Sequence, residues 1–107
     1  MALWIELSGA CQDAYARQDE DLIRRLYEYA RWCWKAPSDD VRTAVACAFY
    51  EHLPTRPAMR RDLPRRIGRA EFAELRDVLG YHLSADEPAS FEREFLEAKQ
   101  RFFDAQP

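Results

Sequence analysis

Glycine is scarce in this chain, with three among 107 residues. No GxGxxG or GxxxxGK[ST] run occurs, so the usual glycine-rich phosphate cradles are excluded. Alternating runs of Val, Ile and Thr are missing as well, which argues against a sheet. Cysteine occurs three times, at Cys11, Cys33 and Cys47. An odd number at wide spacing makes neither a disulfide framework nor a CxxC metal clamp. Each falls among apolar neighbours, so buried reduced thiols are expected. None of Ser8, Ser38, Ser84 and Ser90 lies in a GxSxG elbow, and no HExxH occurs, which removes the familiar settings for a serine nucleophile or a zinc protease. No uncharged run approaches the roughly 20 residues of a membrane span. The start of the chain has no basic segment and soon meets Glu6 and Asp13, so no secretory signal is expected there.

What is present is helical material. Hydrophobic residues make up 48% and aromatics 13%, enough for one core and too much for a disordered chain. The length suits one domain, residues 1–107. Leu3, Trp4, Leu7, Cys11, Ala14 and Tyr15 recur at steps of three and four. They predict a first helix from about Ala2 to Arg17, with an extended start at Leu3 to Ile5 as the alternative. Asp19 or Gln18 caps a second helix running to Lys35. Its rows Leu22, Leu26, Tyr29, Cys33 and Ile23, Tyr27, Ala30, Trp34 predict burial on two sides. Pro37 ends it. Ser38 caps a third helix through Val41, Ala44, Val45, Ala48, Phe49, His52 and Leu53, stopped by Pro54. The short link makes helices two and three antiparallel neighbours. Residues 54–68, with three prolines, read as the longest irregular stretch, with one short helical turn at Leu63 to Ile67. A fourth helix starts at Arg69 or Ala70 and carries Phe72, Leu75, Val78, Leu79 and His82. A last helix runs from Pro88 to Phe103 with Phe91, Phe95, Leu96, Phe102 and Phe103. The expected fold is an all-α antiparallel bundle of about five helices. A faint echo between Phe49–Pro54 and Leu79–Ser84 raises HEAT-like helix pairs as a variant.

Charge is uneven along the chain. The net charge is −3, yet residues 55–69 hold six arginines against one acid, Asp62. Arg60, Arg61, Arg65 and Arg66 are the candidates for binding an anion or a partner, since guanidinium offers a planar fork of donors. No aromatic interleaves them, so base stacking is not supplied locally and nucleic acid is not the favoured ligand. The plainer reading pairs these arginines with the acidic helices that flank them. Trp32 and Trp34 cannot share one helical face, so either one of them is partly exposed or the helix is buried on both sides. Trp32 beside Arg31 is then an interface candidate. For metal or acid–base chemistry the seeds are Glu51, His52 and His82. Glu51 and His52 are adjacent and point apart, and both histidines are expected at helix C-termini, where they suit the dipole. No catalytic set and no cofactor emerges.

Tyr29-Ala30-Arg31-Trp32-Cys33, Asp40-Val41-Arg42-Thr43-Ala44-Val45, Phe49-Tyr50-Glu51-His52-Leu53-Pro54 and Asp62-Leu63-Pro64 together resemble a group of small, stand-alone, helical bacterial proteins of unknown function. The likeness covers roughly residues 20–85 and carries no known chemistry. It implies a bacterial, cytoplasmic protein and little else; helical proteins of this sort sometimes act as adaptor-like or immunity-type partners, and no active residue carries over. The expected function is a non-enzymatic module that binds another protein, with no membrane partner. The alternatives are an anion- or nucleic-acid-binding protein using the Arg56–Arg69 segment and, last, an enzyme at Glu51, His52 and His82.

Overall fold

The computed structural model describes residues 2–101, with the side chains of 2–5 left aside. It is all helical among those residues: α1 (Ala2–Arg17), α2 (Glu20–Trp34), α3 (Asp39–Ala48), a 3₁₀ helix (Tyr50–Thr55), α4 (Pro57–Arg66), α5 (Arg69–Leu79) and α6 (Glu87–Lys99). The expected all-α class is what is found. The expected set of about five helices becomes six α-helices among the described residues. The side chains of Leu3 and Trp4, and both Phe102 and Phe103, lie outside the described residues. The chain divides into two compact units, residues 1–52 and 53–107.

In the first unit, α1, α2 and α3 contact one another pairwise. Asp19 starts α2 by accepting the Leu22 N–H at 3.2 Å. Ser38 starts α3 by accepting the Val41 N–H at 3.4 Å. These two caps stand where the sequence places them, because short polar side chains satisfy first-turn donors. Between α1 and α2, Gln18 takes φ 56°. The Asp19 N–H reaches Ala14 O at 2.8 Å and the Gln18 N–H reaches Tyr15 O at 3.2 Å. This pair of bonds is a Schellman closure, which satisfies carbonyls that the helix end leaves over. Cys11, Ala14, Ile23, Leu26, Tyr27, Ala30, Cys33, Val45 and Phe49 are buried. Tyr27 meets Phe49 edge-on at 5.3 Å, and the Tyr15 and Tyr27 hydroxyls are 3.1 Å apart.

The third helix is shorter than its pattern predicts. It stops at Ala48, and Tyr50–Thr55 winds as a 3₁₀ helix. Pro54 has no N–H to donate to the Tyr50 carbonyl, so an unbroken α-helical ladder cannot run through it. A tighter winding of three residues per turn puts Tyr50 and Leu53 on one face, and both are buried.

In the second unit, the expected irregular stretch is mostly helix. Pro57 sits at the first turn of α4, where its missing N–H costs nothing. Pro64 lies in the last turn, so little helix follows it. Met59, Leu63 and Ile67, spaced by four, are all buried. That stripe is what the arginines around it conceal, and it outweighs the two prolines. Helix α5 starts at Arg69, with the Gly68 N–H donating to Glu71 at 3.3 Å. Phe72 packs against Phe91 at 5.5 Å and stacks on Phe95 at 4.3 Å. Leu96, expected inside, is 41% exposed. It follows Phe95 directly, and neighbouring positions are turned about 100° around a helix. The two echo segments differ: Tyr50 is buried, whereas Tyr81 is exposed.

Candidate functional site

Helix α4 sets out the arginines, and the helical twist separates their fates. Arg60 points toward α6. Its Nε and Nη2 donate to the two oxygens of Glu94 at 3.3 and 3.0 Å, and its Nη1 donates to Glu87 at 3.5 Å. Its guanidinium also lies 5.0 Å from the centre of the Phe91 ring. Its side chain is only 20% exposed. Arg66 bonds Asp62 one turn back, at 2.6 Å. Arg61 and Arg65 are exposed, one turn apart, and make no ion pair among the described residues. The arginine segment therefore splits: Arg60 and Arg66 are held by carboxylates of the same chain, and Arg61 and Arg65 face outward.

A cleft of about 550 Å³ opens beside Arg60. Pro54, Thr55 and Pro57 line one part of it. Arg60 and Arg61, His82 and Leu83, and Glu87 and Glu94 line the rest. Two separate candidates from the sequence, the arginines and His82, thus border one cavity. Glu87 is the best-organised acid there. It accepts the Ser84 hydroxyl at 2.8 Å and the Ser84 N–H at 3.3 Å. Those bonds to Ser84, helped by Arg60, hold its carboxyl below the usual carboxylate range.

The second feature is on α2. Trp32 is 66% exposed and stacks on Tyr29, with ring centres 6.1 Å apart and planes within 10°. Tyr29 was expected in a buried row but is 38% exposed. The reason is angular: it sits one turn before Trp32, on the side of α2 that the packed helices leave uncovered. Trp34, two positions on, turns inward and meets Tyr50 edge-on at 6.2 Å. The charges near the exposed rings are matched, Arg25 with Asp21 at 3.1 Å and Arg24 with Glu28 at 3.0 Å. No signal in the hydrophobic pattern separates Tyr29 from Tyr27, so the stacked pair was not readable in advance.

Glu51 and His52 lie in the 3₁₀ helix at the end of the first unit, and His82 lies in the turn after α5, in the second. Among the described residues no group of three or more His, Cys, Asp or Glu could hold a metal ion. None of the three cysteines forms a disulfide; Cys11 and Cys33 are buried as expected, whereas Cys47 is only half-buried. Burial pushes the Cys47 thiol up, and the nearby Glu51 carboxylate adds to this, which suits an unreactive thiol. Among the described residues no helix is long and apolar enough to cross a membrane.

No curated protein and no solved structure matches the chain. One family model does, over residues 1–78, a stretch that includes the whole of α1 to α4 and nearly all of α5. The match takes in Trp32 and the arginine segment and stops short of His82 and α6. This chain belongs to the DUF7674 family, a domain of unknown function.

Proposed function

We propose that this protein is a non-enzymatic interaction module that binds another protein through the Tyr29–Trp32 pair of α2. The observation that carries this is the stacked, exposed arrangement of the two rings. Scattered single apolar side chains at a surface need no explanation, but adjoining large rings form a patch. Trp and Tyr dominate the energetics of interfaces because they bury much area while losing few rotamers. Stacking already restricts these two, so less freedom is lost on binding. The paired charges around them leave little net field. A partner is then selected by an apolar pocket that fits the rings rather than by charge. An adaptor-like or immunity-like role in a bacterial cytoplasm fits such a module and the short motifs around Trp32. We read the whole chain as one domain in that role.

The experiment is co-purification from the cells that make the protein, comparing the natural chain with Trp32→Ala and with Arg61→Ala. A single protein should accompany the natural chain and Arg61→Ala. Its affinity for Trp32→Ala should fall at least about tenfold, as for an interface anchor, with unchanged far-ultraviolet circular dichroism. Equal recovery with Trp32→Ala would remove the reading. So would a purified protein that self-associates in a Trp32-dependent way, since the rings would then serve a second copy.

A further inference from the structure

We propose that the cleft bordered by α4, the turn after α5 and α6 binds a small organic monocarboxylate, with the carboxylate on Arg61 and the apolar body against Pro54, Pro57 and Leu83. This site is separate from the aromatic pair on α2 and does not depend on it. Three observations converge. The cleft holds about 550 Å³, within the span of small-molecule sites. Its walls combine apolar surface from Pro54, Pro57 and Leu83 with Thr55, His82 and the arginine–glutamate set, so a ligand with both an apolar body and a charged end fits it. And its cations are unequal.

Arg60 is already held by Glu94 through two bonds and by Glu87 through a third. Its role is to fix the two acids in place. Arg61 is the remaining cation of the cleft, exposed and without an ion pair among the described residues. A planar guanidinium meets a carboxylate through two parallel hydrogen bonds. Charge selects the ligand class. Arg60 with Glu87 and Glu94 carries a net charge of −1 and Arg61 carries +1, so the four sum to zero, and a doubly charged phosphate on Arg61 would leave the cleft at −2 where a monoanion leaves it at −1. A single negative charge is matched by Arg61. Glu87 is ionised at neutral pH like any glutamate, and its bonds to Ser84 and Arg60 fix that charge at the cleft, where it repels a dianion more than a monoanion.

The test is a titration of backbone amide resonances with N-acetyl-leucine, N-acetyl-leucinamide and inorganic phosphate. N-acetyl-leucine should move the amides of Thr55, Arg61 and Leu83 saturably. The uncharged N-acetyl-leucinamide should move none of them. Arg61→Ala should weaken N-acetyl-leucine at least about tenfold, the scale of one charge-assisted pair. Arg61→Gln, which keeps more of the side chain, should weaken it similarly. Arg65→Ala, on the same helix but outside the cleft, should leave binding unchanged. Absence of a saturable shift overturns the proposal. Equal binding to Arg61→Ala or Arg61→Gln, or an equal loss in Arg65→Ala, does the same. Phosphate binding as tightly at the same amides would overturn the ligand class.

Discussion

Arg60 and Arg61 are neighbours in the chain and opposites in situation. One is shielded between two glutamates and an aromatic ring, and the other stands in solvent. Trp32 and Trp34 repeat the contrast two residues apart, one stacked at the surface and one turned toward Tyr50. Residue type alone does not separate the members of either pair; direction around the helix does. Glu87 gives the residue scale a measurable consequence. Its folded carboxyl titrates below the usual range, chiefly because it accepts from Ser84. An unfolded glutamate titrates near pH ~4.3. A depressed folded value means that the ionised form is the one the fold favours. That contribution is complete above the unfolded value and disappears as the pH falls through the folded one. Carbon-detected titration should place the Glu87 midpoint below that of a free glutamate, and Ser84→Ala should move it back up. An ordinary midpoint in the natural chain would contradict the geometry.

At the scale of elements, helix starts were legible and one helix was not. Asp19, Ser38 and Arg69 stand at or next to the starts of α2, α3 and α5, because capping is a local matter of a few atoms. Helix α4 was missed because two prolines and a run of arginines mask the Met59, Leu63, Ile67 stripe. Pro57 is harmless at a first turn, and burying three apolar side chains outweighs the cost of Pro64. The end of α1 carries a different lesson. Gln18 occupies the left-handed region at φ 56°, where a side chain is strained and glycine is not. Gln18→Gly should therefore raise stability by about 0.5–1 kcal/mol, the relief of that strain less the added freedom of the unfolded chain. Urea denaturation checks it, and a loss of stability would show that the Gln18 side chain outweighs the strain.

For the molecule as a whole, the division at residues 52 and 53 sets two units of about fifty residues each. Domains of that size bury a smaller fraction of their surface than larger ones do and are marginal alone. We expect the chain to unfold as one domain, with a single calorimetric transition whose van't Hoff and calorimetric enthalpies agree. Two resolved transitions would instead make the units independent.

From sequence alone came the helical class, most helix starts, the core aromatics Phe49, Phe72, Phe91 and Phe95, and the burial of Cys11 and Cys33. Each depends on a spacing of three or four residues or on a cap within one turn, and such information is written locally. Tertiary structure alone decided that Tyr29 faces out while Tyr27 faces in, that Arg60 is held and Arg61 is not, and that His82 shares a cleft with α4. Those outcomes depend on which face of each helix its neighbours cover, and the periodicity of one segment carries no record of where another segment packs.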